Sequence, residues 1–204
     1  MKPNELFDLV FDISYKNVGD DVDYCIFVKE EKIYLAFEGS RTKRDWQNNL
    51  NFPRKIYKKQ YSCLKAARGW GDAYKSCNNI VMEELISVMD DYPFFPVVII
   101  GHSYGGAMAV LAAEDLHYRT RTMPSVITFG APKCLFGNKS KKYVKSCCVE
   151  ITQYQHVHDI VPRMPPFSGY HSVNVKWVGK DRWKFWEIFK PYYHVSYGDE
   201  NLYS

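Results

Sequence analysis

The residues best suited to chemistry are Gly101-His102-Ser103-Tyr104-Gly105, a serine with a glycine two positions to either side. This G-x-S-x-G spacing fits a sharp turn from strand into helix. Residues two before and two after the serine crowd one another there and must lack side chains. The turn would hold Ser103 in a strained backbone conformation at the carboxyl end of a strand, standing out toward a substrate. The N-terminal dipole of the following helix would favour negative charge beside it. The plainer alternative is a glycine-rich turn whose serine only caps the helix.

A hydroxyl is a poor nucleophile until a base accepts its proton, and the base needs a third group to orient it. After a strand-turn-helix serine the partners are expected in the order Asp or Glu, then His. Asp159 fits the first place. It follows the strand-like run CVEITQYQHVH, and Pro162, Pro165 and Pro166 stiffen what comes after it. A turn-forming Asp before a proline is the alternative. Of the six histidines, His102 lies inside the turn and is read as pointing elsewhere, His117 falls on the following helix, and His156 and His158 precede the acid. His171 and His194 remain. His171 begins an alternating strand, which suits a structural imidazole, whereas His194 lies in an aromatic loop near the chain end. Order and loop placement favour His194.

The elements that must position these groups follow from apolar spacing. VVII at 97–100 reads as a short strand buried on both faces, and the Ala- and Leu-rich run 105–116 as a helix lying close on a sheet. Before them, 24–28 and 33–37 form a hairpin around KEEK, and the run from Gly71 carries apolar residues at helical spacing up to Pro93. After them, SVITFG reads as a strand, YVKSCCVEITQYQHV as a longer one, HSVNVKWVG as an alternating one, and DRWKFWEIFK as a short aromatic helix. Alternation of strand and helix predicts an α/β three-layer sandwich with a mostly parallel central sheet. With 204 residues, of which 46% are hydrophobic, residues 1–204 are expected to form one domain.

Charge, cysteine and terminal patterns narrow the classes. The net charge of +4 comes without a long single-sign block, so no nucleic-acid arm is indicated. Acidic residues Glu5, Asp8 and Asp12 interrupt the apolar pattern of the N-terminus, which reads as an amphipathic helix rather than a signal peptide. No apolar run reaches the ~18 residues of a membrane span. A soluble, cytoplasmic protein is therefore expected. Its six cysteines, with Cys25, Cys147 and Cys148 in strand-like runs, should be reduced, and no Cys/His spacing proposes zinc.

Several blocks, in order, resemble the class 3 lipases, a branch of the α/β-hydrolases. LAFEGSRTKRDWQNNL is similar to that family's oxyanion segment, RGWGDAY to its helix start, and VIIGHSYGGAMAVLAA to its nucleophile elbow. VITFGAPKCLFGN, HDIVPRMPP, GYHSVNVKW and PYYHVSY resemble, respectively, the turn after the next strand, the acid-bearing segment, a non-catalytic histidine segment and the closing histidine loop. The resemblance implies Ser103 as nucleophile, Asp159 as orienting acid, His194 as general base and His171 as a structural histidine. It implies an oxyanion hole built from the backbone N–H groups of Ser40 and Tyr104, with the Ser40 hydroxyl as a further donor. It also implies an acyl-enzyme route without metal or organic cofactor. Glu38 and Ala67 depart from the family pattern, which usually has Arg and His there.

The implied substrates are acyl glycerides or related lipid esters, with phospholipase A1 or short-chain esterase activity as alternatives. A lipase-like interaction protein without turnover is the alternative from another class. Residues 42–59 are a candidate lid, with Trp46, Phe52 and Tyr57 as apolar contacts and Arg44, Arg54, Lys55, Lys58 and Lys59 as a basic face; a solvated loop is the alternative. Transient contact with a lipid interface would follow from such a lid. Trp183, Phe185, Trp186 and Phe189 are read as core, with contact to lipid as the alternative.

Overall fold

A computed structural model describes residues 1–19, 22–39, 56–58, 63–179 and 191–203, with backbone only at 56–58 and 191–192. Helix α1 (Pro3–Asp12) starts with proline at its first turn, and the Glu5 carboxylate accepts the N–H of Lys2. Its apolar stripe buries Leu6, Phe7 and Val10. Strand β1 (Lys16–Val18) leads to the hairpin of β2 (Val22–Lys29) and β3 (Lys32–Phe37). Both turn residues, Glu30 and Glu31, take positive φ, the geometry a tight two-residue hairpin demands even where no glycine is available.

Strands β4 (Ile56–Lys58) and β5 (Lys65–Ala67) precede the 24-residue helix α2 (Arg68–Asp91). Then come β6 (Val97–His102), α3 (Ser103–Thr120), β7 (Ser125–Phe129), β8 (Leu135–Phe136) and α4 (Asn138–Ser146). Strands β9 (Glu150–His156), β10 (Tyr170–His171) and β11 (Val175–Val178) follow.

The main sheet runs β1-β2-β3-β6-β7-β9-β11. Pairing is antiparallel from β1 to β3 and parallel from β3 to β11. On one face α2 and α3 bury Cys77, Val81, Leu85, Met108 and Leu111 against Leu35, Ile99 and Val126. On the other, α1 and the C-terminal turns bury Phe7, Val10 and Tyr197 against Tyr34, Ile100 and Phe129. These are the three layers the strand–helix alternation implied. Helix α3 carries Gly105 and Gly106 at about 1 kcal/mol each relative to Ala. Full burial of Met108, Leu111 and Leu116, at about 1.5–3 kcal/mol each, more than offsets that. A smaller antiparallel sheet, β10-β8-β5-β4, lies apart from the main one.

Three sequence expectations change. The run from Tyr143 is not one long strand: residues 138–146 form α4, and the strand begins at Glu150. Tyr143, Val144, Cys147 and Cys148 stand at helical spacing, and the last three are buried. Cys147 therefore caps the end of a helix and Cys148 follows it, neither lying in a strand. The run from His171 is broken between β10 and β11, where Asn174 takes positive φ. Of the lid segment 42–59, residues 56–58 are strand β4, paired with β5, and the remainder lies outside the described residues. The aromatic run DRWKFWEIFK is also outside them.

Candidate active site

Strand β6 ends at His102 and α3 begins at Ser103, so the serine sits at the carboxyl end of a central parallel strand. Its φ is 54°, a left-handed conformation that costs a side-chain-bearing residue about 1–2 kcal/mol. The neighbouring glycines make the turn possible. A Cβ at Gly101 would overlap the carbonyl of Gly105, and one at Gly105 would overlap the carbonyls of Phe37 and Glu38 on the adjoining β3 end. The serine does not stand exposed as expected: it is 4% exposed. Gly39 closes in on it, since a Cβ there would lie 3.4 Å from the Ser103 Cβ.

Asp159 follows the end of β9 and is 1% exposed. Its Oδ1 accepts the Val161 N–H at 2.9 Å, the local turn that its place before a proline-rich stretch suggested. Its Oδ2 accepts the Nδ1–H of His194 at 2.8 Å and the hydroxyl of Tyr197 at 2.9 Å. A buried carboxylate is costly unless its oxygens are satisfied, and three donors satisfy this one. With the proton of neutral His194 on Nδ1, Nε2 is the basic nitrogen.

His194 ends a short 3-10 turn (Pro191–His194), and its backbone carbonyl accepts the Nε2–H of His102 at 2.7 Å. The two imidazoles lie 4.5 Å apart. His102 thus points at the loop carrying His194 rather than elsewhere, and it connects that loop to the residue preceding Ser103. Burial, reinforced by the His194 imidazole, holds His102 well below the ordinary histidine range, so it stays neutral with its proton on Nε2.

The hydrogen-bonding partner of Asp159 is therefore His194 and not His171. His171 sits in β10, paired with Leu135 of the smaller sheet, and its charged neighbours are Lys141 and Lys133. Tyr104 is the second residue of α3, where the first-turn N–H groups point back toward the helix start. Ser40 lies outside the described residues; Gly39, one residue before it, abuts Ser103. Among the described residues no group of three His, Cys, Asp or Glu is disposed to hold a metal ion.

Three residues escaped the sequence reading. His102, inside the serine turn, reads in sequence as pointing elsewhere, and nothing local shows that its partner is a carbonyl 92 positions away. Tyr197 is fully buried and its phenol both donates to Asp159 and accepts the His156 N–H at 2.8 Å. Burial first, and then the Asp159 charge, keep that phenol protonated well above the usual tyrosine range. Gly130, at the end of β7, has φ 58° and lies beneath the pair: a Cβ there would stand 2.9 Å from Asp159 Oδ2 and 3.0 Å from the His194 ring. Its place directly after SVITF was the one available signal.

This arrangement has recognisable relatives. The family model described as Lipase (class 3) matches residues 34–169. The lipase of Rhizomucor miehei is 32% identical over 158 residues, covering 73% of this chain and 42% of its own. The secreted mono- and diacylglycerol lipase A of Penicillium cyclopium is 28% identical over 167 residues, covering 80% of this chain and 53% of its own. A solved triacylglycerol lipase, described as having a serine protease triad at its catalytic centre, superposes with a TM-score of 0.73 at 27% identity, over 83% of this chain and 66% of that one. The chain thus spans about half or less of the curated relatives' length. Because the matched region runs from β3 through the serine turn and Asp159 to the threshold of β10, the chain belongs to the class 3 lipases, with the sheet and elbow of an α/β-hydrolase.

Proposed function

We propose that this chain is a serine carboxylic ester hydrolase of the lipase type, with Ser103 as nucleophile, His194 as general base and Asp159 as orienting acid. The observation that carries the reading is the Asp159–His194 hydrogen bond, held in a loop that His102 ties to the strained serine. His194 Nε2 would take the proton of the Ser103 hydroxyl as its oxygen attacks the ester carbonyl carbon. Asp159 holds the ring and stabilises the imidazolium that forms. The tetrahedral oxyanion would be met by the N–H of Tyr104 and, by family resemblance, of Ser40, each such donor contributing about 2.7–4 kcal/mol to the barrier reduction. His194 then gives its proton to the departing alcohol, leaving an acyl-serine. Water, deprotonated by the same imidazole, attacks the acyl carbon, and the carboxylic acid leaves as Ser103 recovers its proton.

Acyl glycerides are the proposed substrate class, supported by the mono- and diacylglycerol activity named for the Penicillium relative. A fluorophosphonate probe is the direct test. Wild-type protein should be labelled and Ser103→Ala should not; a folded wild type that resists labelling would count against turnover and for a lipase-like binding module. Comparing emulsified long-chain with dissolved short-chain esters then separates lipase from esterase activity.

A further inference from the structure

The modest net charge conceals a strong asymmetry. Residues 116–180 hold ten Lys or Arg and two acids, Glu150 and Asp159, whereas residues 1–39 hold nine acids against four bases. Sheet order separates them in part: β1, β2 and β3 form one side of the main sheet and β9 and β11 the other, while α1, with Glu5, Asp8 and Asp12, packs over the central strand β6. Such a charge separation orients a molecule in the field of a charged surface.

On the basic side the charges gather on one surface. Helix α4 buries Ser140 and Val144 and turns Lys139, Lys142 and Lys145 outward. Lys141 of the same helix, Lys133 from the loop after β7, Arg163 from the turn after Asp159, and His171 of β10 border it. Burial, and then Lys141 and Lys133, lower the affinity of His171 for a proton; burial, and then Arg163, do the same to Lys133. His171 thus feels Lys141 and Lys133, and Lys133 feels Arg163. Among the described residues no carboxylate forms an ion pair with any of them.

Aromatic residues lie at the same border. The Arg163 guanidinium sits over the Trp177 ring at 5.4 Å, and Trp177 is 50% and Phe167 38% exposed. Trp177 is in register with Gln155, on the sheet face that also carries Ile151, the face α3 and α4 cover. Lysines around exposed aromatic rings suit a lipid headgroup region, where the rings take the interfacial level and the long basic side chains reach the phosphates. The surface is also continuous with the catalytic edge: Lys133 stands three residues after Gly130, Arg163 four after Asp159, and the Lys133 N–H donates to the Met164 carbonyl at 2.8 Å.

We infer that α4, Lys133, Arg163, His171 and Trp177 together form a docking surface for an anionic lipid bilayer, which holds the catalytic edge against the membrane. Its use rests on the hydrolase reading above; the binding itself does not. Each Lys near such a surface contributes about a fivefold gain in affinity, within about a Debye length.

The test uses Ser103→Ala protein, so that the bilayer is not consumed, with co-sedimentation on vesicles of phosphatidylcholine alone or with about a third of phosphatidylglycerol. Binding should appear only with the anionic lipid and should fall steeply with added salt. The Lys139→Gln/Lys142→Gln/Lys145→Gln triple variant should lose about a hundredfold in that affinity, while in the otherwise native chain it keeps its turnover of a dissolved short-chain ester and its thermal midpoint. Trp177→Ala should weaken binding without altering its salt dependence. Equal binding to both vesicles, an unaffected triple variant, or retention by duplex DNA with none by anionic vesicles would each overturn the inference. Loss of fluorophosphonate labelling in the native chain would instead count against the hydrolase reading and leave vesicle binding to be judged by itself.

Discussion

The imidazole of His102 donates its Nε2–H to the backbone carbonyl of His194 at 2.7 Å, so the residue before the proposed nucleophile holds the loop bearing the proposed base. Replacing it with leucine leaves a buried carbonyl without its donor, at a cost of about 1–3 kcal/mol in stability. It also frees the loop, so kcat should fall tenfold or more with little change in KM. Steady-state kinetics beside thermal unfolding will separate the two effects; His102→Gln, which can still donate, should recover part of the rate. A leucine variant that loses stability alone would make His102 purely structural.

His194→Ala should abolish turnover, by about a thousandfold or more, because the proton acceptor is gone. His171→Ala should keep most of its activity, since the residue sits in the smaller sheet with Lys133 and Lys141 around it. Turnover of a soluble ester by the two folded variants decides between them. A dead His171 variant beside an active His194 variant would reverse the proposed roles.

Tyr197→Phe removes the hydroxyl that donates to Asp159 and accepts the His156 N–H. Both partners are buried, so the expected cost is about 1–3 kcal/mol, with a several-fold loss in kcat as the acid loses one of its restraints. Chemical denaturation and ester turnover, measured on the same preparation, give both numbers. Unchanged values in both would remove Tyr197 from the site.

Much of this site could be read from the sequence because its requirements are local. The clash that a Cβ at Gly101 would make with Gly105 lies within five consecutive residues, although Gly105 itself is crowded by Phe37 and Glu38 of the neighbouring strand end, and Asp159 forms its own turn with Val161. Tyr197 and Gly130 were invisible because their importance lies in contacts with residues 29 to 64 positions away, and no local pattern marks those. Helix α4 was misread for a different reason. Tyr143, Val144, Cys147 and Cys148 fit a helical stripe, but the β-branched and aromatic character of the run, joined directly to a real strand, concealed the change of period.

Gly130→Ala tests the floor beneath the pair. A residue at φ 58° pays about 1–2 kcal/mol in backbone energy, and the added methyl would sit 3.0 Å or less from Asp159 and His194. Neither group can recede without stretching their mutual hydrogen bond. The variant should fold with reduced stability and lose at least tenfold in kcat; full activity would mean that the pair tolerates displacement.

Stability should decline on the acid side of neutrality through two buried imidazoles. His102 and His156 are both held below the ordinary histidine value, in each case first by burial, so the folded protein binds their protons less readily than the unfolded chain. Well above about pH 6.5 neither state is protonated there and the two residues contribute no pH dependence. As pH falls below that value the unfolded chain takes up protons that the folded chain refuses, and stability drops by up to about 1.4 kcal/mol per pH unit for each imidazole. The loss continues until the folded-state value is reached, which for His102 lies well below the ordinary histidine value. Denaturant midpoints between pH 7 and pH 5 measure the slope, and the His102→Gln variant should show it reduced by close to one proton. A slope unchanged in that variant would mean that His102 charges in the folded protein, which its hydrogen bond to the His194 carbonyl would permit only if the burial around it opened.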